Sequence, residues 1–186
     1  MFKKILLSSA ILASSASFAM SAPAPYVGAG LGVTVNTSDI KANGVVGNYR
    51  GVPFNVFAGY GGIVNQNFYL AGELAATLAT GDIQDNGLKS SYGYGVSILP
   101  GVMLSDHTLA FGRAGIVRSR FPKQNSNSTG GELGLGLQTS LTQDIDLRGE
   151  YDFVAYRAIN STTNGTHYST SPRSDQFNVA LVYKFD

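Results

Sequence analysis

From Tyr26 onward the chain alternates large apolar residues with small or polar ones, and this period of two returns in segment after segment. A period of two puts successive side chains on opposite faces of a β-strand. Such runs lie near 26–35, 52–62, 68–80, 91–104, 109–121, 131–141, 146–157 and 175–185. The connections 63–67, 105–108 and 142–145 are short, whereas 36–51, 81–90, 122–130 and 158–174 are long and rich in Asn, Ser, Thr, Gly and Asp. Short and long connections in strict alternation predict an up-and-down barrel across a membrane, with short periplasmic turns and long extracellular loops.

The face that carries the charge decides the solvent. On the first strand Val27, Ala29, Leu31, Val33 and Val35 oppose Gly28, Gly30, Gly32 and Thr34. The third opposes Phe68, Leu70, Leu74, Ala76 and Leu78 to Tyr69, Ala71, Glu73, Ala75 and Thr77. On the sixth Leu133, Leu135, Leu137 and Leu141 oppose Glu132, Gly134, Gly136, Gln138 and Ser140. The seventh and eighth set Leu147, Tyr151, Phe153, Phe177, Val179, Leu181 and Tyr183 against Arg148, Glu150, Asp152, Asn178 and Lys184. The fifth is assigned by its charge, with Arg113 inward and Ala110, Gly112, Ala114 and Ile116 outward. The charges at membrane depth, Glu73, Arg113, Glu132, Arg148, Glu150, Asp152 and Lys184, then all share the polar face.

A soluble β-sandwich has the opposite arrangement, apolar face in and charges out. Leu, Val, Phe and Tyr facing water on nearly every strand would aggregate, and a sheet spans lipid only when closed on itself. The expected fold is all-β, an eight-stranded antiparallel up-and-down transmembrane β-barrel. Composition agrees: only 13% of residues are charged, about half the usual quarter. Past residue 20 no apolar run approaches the ~18 residues of a spanning helix. Tyr60, Phe68, Tyr69, Tyr183 and Phe185 at the short-turn ends, and Tyr92, Tyr94, Phe121 and Tyr156 at the long-loop ends, are expected to form the two interfacial girdles.

Met1 to Ala19 reads as a secretory signal peptide. Lys3 and Lys4 form its positive region, Ile5 to Phe18 its apolar and small-residue stretch, and Ser17-Phe18-Ala19 a small-x-small cleavage site. Cleavage is expected after Ala19, with Ser21 the alternative, leaving residues 20–186 as one barrel domain. The chain has no cysteine, which excludes disulfides, Cys-based zinc sites and a lipid-modified cysteine anchor.

An eight-stranded barrel has an interior just wide enough for side chains to fill. Inward Gly, Ala and Ser leave room for a few long charged residues. Three inward cations, Arg113, Arg148 and Lys184, face four carboxylates, Glu73, Glu132, Glu150 and Asp152, so nearly complete pairing is expected. Glu73, Arg113, Arg148, Glu150 and Lys184 form the expected lumen network. A structural plug is its expected role; a gated pore and catalytic carboxylates are the alternatives.

At the extracellular ends Arg118, Arg120, Arg157 and Arg173 have outward parity. That is the height of lipopolysaccharide phosphates, which guanidinium groups suit; Asp175 on the same face opposes the effect. His167 and Ser169, with Asp175, have the residue types of acyl chemistry, but the Ser/Thr-rich segment around them fixes no geometry. His107 belongs to the turn Ser105-Asp106-His107-Thr108. Gly28-Ala29-Gly30-Leu31-Gly32 has no helix after it and is not a phosphate loop. The sequons at Asn36, Asn127, Asn160 and Asn164 reflect loop composition. No catalytic residue, cofactor or metal site is assigned.

Tyr26-Val27-Gly28-Ala29-Gly30-Leu31-Gly32, Phe54-Asn55-Val56-Phe57-Ala58-Gly59-Tyr60, Phe111-Gly112-Arg113-Ala114-Gly115, Leu147-Arg148-Gly149-Glu150-Tyr151-Asp152 and the strand Asn178 to Phe185 resemble the small eight-stranded outer-membrane proteins of the OmpA/OmpX and opacity-protein type. The resemblance covers residues 26–186. It implies an internal salt-bridge network, and a function in adhesion, host-factor binding or envelope integrity. Family members usually end in an aromatic residue, which resembles the signal read by the barrel-assembly machinery; here Phe185 is penultimate and Asp186 follows. No peptidoglycan-binding domain of the kind that full-length OmpA-like proteins append is expected. The expectation is a non-enzymatic outer-membrane barrel of a Gram-negative bacterium, its loops at the cell surface. A narrow porin and a lipid-A-modifying enzyme are the alternatives. The expected partners are outer-membrane lipid and lipopolysaccharide, the barrel-assembly machinery through the C-terminal strand, and a host surface factor, with no nucleic acid.

Overall fold

Three tight connections fix one rim of the structure. Gln66 and Asn67 turn β2 (Val45–Asn65) into β3 (Phe68–Asp85), Asp106 and His107 turn β4 (Gly93–Ser105) into β5 (Thr108–Phe121), and residues 141–144 turn β6 (Ser126–Ser140) into β7 (Ile145–Tyr156). Gln66 takes the positive φ, 42°, that so short a hairpin turn requires. β1 (Ala24–Ile40) pairs antiparallel with both β2 and β10 (Arg173–Lys184), which closes the barrel in the order β1-β10-β7-β6-β5-β4-β3-β2. The computed structural model describes residues 23–40, 45–85, 92–121, 126–157, 159–163, 166–170 and 172–185. The expected signal peptide, residues 1–19, lies outside the described residues.

The strands run further than the apolar alternation does. Residues 36–40 and 45–51, read as loop, pair as Asn36↔Tyr49, Thr37↔Asn48 and Ser38↔Gly47, and Ser126 to Gly130 extend β6. Alternating apolarity records contact with lipid, whereas the backbone ladder needs no apolar side chains and continues into water. Part of the connection 158–174 is likewise ordered: β8 (Ile159–Thr163) and β9 (Thr166–Thr170) pair as a separate two-stranded sheet.

Burial sorts the two faces as a lipid-facing wall and a filled lumen. Leu135 is 73% exposed, Leu74 65% and Leu133 64%, while Leu99 and Val182 are 1% exposed inside. The lumen is more apolar than a sorting by charge suggests. Tyr26, Phe57, Ala71, Leu99, Leu109, Phe111, Ala180 and Val182 pack together inside its periplasmic half. The rings sit over glycines directly opposite them on neighbouring strands: Tyr26↔Gly59, Phe57↔Gly28 and Phe111↔Gly136. A Cβ at any of these three glycines would overlap the facing ring, so close approach requires glycine there.

Two expected girdle residues belong to this interior. Tyr69 packs against the lumen core. Tyr156 is buried beside Val154, with its hydroxyl 2.9 Å from Ser119 Oγ. Both have inward parity, which overrides proximity to a strand end. Tyr60, Phe68, Tyr92, Tyr94, Tyr183 and Phe185 are exposed on the outside; the side chain of Phe121 lies outside the described residues.

Candidate functional site

Inward positions on β3, β5, β6 and β7 bring the charges together above the apolar floor. Glu73, 2% exposed, receives Arg113 Nη2 on Oε1 at 2.6 Å and Arg148 Nη1 on Oε2 at 2.6 Å. The Tyr26 hydroxyl donates to the same Oε2 at 2.9 Å. Arg148 is 1% exposed, and its Nε donates to Gln138 Oε1 at 2.8 Å. Its guanidinium carbon lies 5.4, 4.5 and 5.2 Å from the centres of the Tyr26, Phe57 and Phe111 rings. Arg148 thus fills the cross-section with one cation against three π-faces and one carboxylate, an arrangement that favours charge in a dry setting.

Arg113 is shared more widely. Its Nη2 donates to both Glu150 oxygens, at 3.2 and 3.0 Å, in addition to Glu73. Nη1 stands 4.0 Å from Glu132, and Nε 3.6 Å from Asp152. Lys184 is set apart: its Nζ lies 3.0 Å from Asp146 Oδ1, while Gln138 Nε2 donates to Asp146 Oδ2 at 2.6 Å.

Asp146 corrects the charge count. It is buried and inward, one alternation before Arg148, so five inward carboxylates face three cations among the described residues. The sequence reading passed over it, although parity counted back from Arg148 marks it as inward. Tyr26 carries the other missed contact, and its parity with Gly28 was the available signal.

The four arginines expected at the outer rim are all exposed. Arg118 pairs with Thr129 across β5 and β6, and the Arg157 N–H donates to the Thr129 carbonyl at 3.0 Å. Arg118, Thr129 and Arg157 therefore lie in one row across three strands, the two arginines about 10 Å apart at ordinary strand spacing. Arg173 faces Ala155 on the next strand. Arg120 is drawn aside, donating from Nη1 to the Tyr92 hydroxyl at 3.0 Å. Asp175 is on the outer face and accepts a hydrogen bond from Tyr151. His167 and Ser169 lie on β9, whose side chains are outside the described residues.

Among solved structures the chain is similar to Neisserial surface protein A (NspA), with 16% identity over 87% of this chain and 97% of that one, and a TM-score of 0.54. It is also similar to Ail of Yersinia pestis, at 16% identity over 87% and 99% and a TM-score of 0.46. OprG of Pseudomonas aeruginosa gives 14% identity over 89% and 97%, with a TM-score of 0.42. At these identities the likeness speaks to fold alone. No curated protein sequence matches the chain. The family model described as outer membrane protein beta-barrel domain matches residues 5–185. Closed barrel, lipid-facing wall and family match agree: the chain belongs to the outer-membrane protein β-barrel domain family, and its place is the outer membrane of a Gram-negative bacterium.

Proposed function

We propose that this barrel is a non-enzymatic surface protein whose extracellular loops engage a host or envelope partner, and whose lumen is a structural plug. Arg148 carries the reading, wedged across the lumen between three aromatic rings and Glu73. A side chain so enclosed leaves no wide aqueous path, and the inward carboxylates are engaged by arginines or lysine rather than offered to a substrate. The row Arg118–Thr129–Arg157 with Arg173 supports contact with lipopolysaccharide phosphates, as guanidinium groups bind phosphate through directed, charge-assisted hydrogen bonds. The exposed face of β10 (Phe177, Val179, Leu181, Tyr183), continued by Phe185, is the strand offered to the barrel-assembly machinery, and Met1 to Ala19 serves as the export signal.

The test is a deletion strain assayed in parallel for host-cell binding and for envelope permeability. Loss of binding, or a weakened envelope restored by the wild-type gene, supports the proposal. Steady, large conductance of the purified protein in planar bilayers would overturn the plug and favour a narrow porin. A change in lipid A mass on deletion would favour an enzyme.

A further inference from the structure

The outer wall carries an open groove of about 750 Å³, lined chiefly by Pro100, Val102, Ala110, Gly112, Leu135 and Leu137. Its cause is a difference in side-chain size between neighbouring strands. Outward positions on β5 are small three times running, at Ala110, Gly112 and Ala114. Their partners across the ladders are large: Leu137, Leu135 and Leu133 on β6, with Val102 and Ile98 on β4. A Cβ at Gly112 would meet nothing nearer than 3.9 Å, so bare backbone floors a trough walled on both sides.

The same face ends, at its extracellular side, in a row of hydrogen-bond donors. Tyr94 pairs with Arg118, Arg118 pairs with Thr129, and the Arg157 N–H reaches the Thr129 carbonyl. Among the described residues no carboxylate pairs with Arg118 or Arg157. Gly131, two residues below Thr129, carries no side chain, and a Cβ there would meet nothing within 4 Å. A hydrocarbon chain descending from the row therefore passes over Gly131, beside Ile116, into the trough. Depth agrees. Gly112 lies six residues below Arg118, about 20 Å along the strand, or about 15 Å in height at a tilt of about 40°. That is half of a ~30 Å hydrocarbon core, the reach of one acyl chain of the outer leaflet.

We propose that this face holds one lipopolysaccharide molecule, a phosphate of its lipid A on Arg118 and Arg157 and one acyl chain lying along Ala114, Gly112 and Ala110. The site presupposes that the arginine row contacts phosphate, and adds a fixed place for the chain. Charge selects the occupant. Two guanidinium groups without a carboxylate partner, at the head of an apolar groove, match an anionic head group with a hydrocarbon tail. A second copy of the barrel, facing the first across a twofold axis along the membrane normal, would set two arginine rows against each other at one height. Like charges oppose that pairing. Within the trough a chain gains carbon contacts on both flanks as well as beneath it, which a flat wall does not offer.

The test titrates the full barrel, folded in dodecyl maltoside micelles, with lipopolysaccharide and counts bound copies by native mass spectrometry. Wild type should bind one copy more tightly than any further copy, and more tightly than phosphatidylglycerol. Ala110→Leu with Gly112→Leu fills the trough and leaves the arginines in place. Affinity for the first copy should then fall about tenfold, the worth of some ten lost carbon contacts. Ala29→Leu, on the outer face of β1 diametrically across the barrel from β5, should change nothing. Arg118→Gln with Arg157→Gln should also lower affinity, by about tenfold or more. Loss in the arginine pair but not in the trough pair leaves the phosphate contact standing and overturns the chain site. No loss in either overturns both. Equal affinity for phosphatidylglycerol overturns the choice of lipopolysaccharide, and a barrel dimer that the trough variant dissociates overturns it in favour of a second copy. Should the trough pair not fold, Gly112→Val alone carries the same comparison.

Discussion

The guanidinium carbon of Arg148 lies 4.5 Å from the centre of the Phe57 ring, while one of its Nη atoms lies 2.6 Å from Glu73. One side chain thus joins the apolar floor of the lumen to its charged layer. Arg148→Ala would leave buried Glu73 with the Tyr26 hydroxyl and a single cation, Arg113, itself shared with Glu150. Breaking a buried pair this way costs about 3–5 kcal/mol, and the urea midpoint of the folded barrel should fall accordingly.

Arg148 also makes the plug testable by current. Wild-type protein in a planar bilayer should show no steady, large conductance. Arg148→Ala, which removes the side chain wedged between the three rings and Glu73, should show more frequent openings than wild type under the same voltage.

Glycines on the two faces should respond in opposite ways. A Cβ at Gly59 would overlap the Tyr26 ring, whereas one at Gly72, on the outer face of β3, meets nothing within 4 Å. Gly59→Ala is expected to cost about 1–3 kcal/mol as overpacking. Gly72→Ala should be neutral or slightly stabilising; equal losses in the two variants would reject this account of the lumen.

The outer wall makes a separate prediction. Leu135, in the interior of β6, is 73% exposed, and Leu135→Arg should cost about 2–4 kcal/mol in a bilayer, the range for a cation at mid-depth. The same substitution should cost much less in a detergent micelle, whose surface deforms around the charge.

At the rim, neutralising Arg118, Arg120, Arg157 and Arg173 together should loosen co-purification of lipopolysaccharide without lowering stability. Phosphate analysis of the purified protein measures it. Unchanged phosphate content would reject phosphate recognition by this face.

The membrane-spanning wall was legible because lipid imposes one rule on every outward position. Leu133, Leu135 and Leu137 alternate with Glu132, Gly134, Gly136 and Gln138 for that reason, and the folded β6 keeps the same sorting. What the pattern hid lay where that rule is silent. Outside lipid, Asn36, Thr37 and Ser38 carry no apolar alternation, yet they pair with β2. Inside the barrel, Phe57 and Phe111 are as apolar as lipid-facing residues; the glycines opposite them, and for Phe111 its shared parity with Arg113, reveal that they fill the lumen. Asp146 escaped notice for a third reason, because a carboxylate beside a turn resembles a solvated one until its partner Lys184 is placed.

The strands end unevenly at the outer rim. β1 stays paired with β2 as far as Ile40↔Val45, three residues beyond its last pair with β10, Thr37↔Arg173, a step of about 10 Å along the strand. The β1–β2 pair therefore stands as a parapet beside Arg173, and carries the sheet past the level of the phosphates toward whatever lies outside the cell.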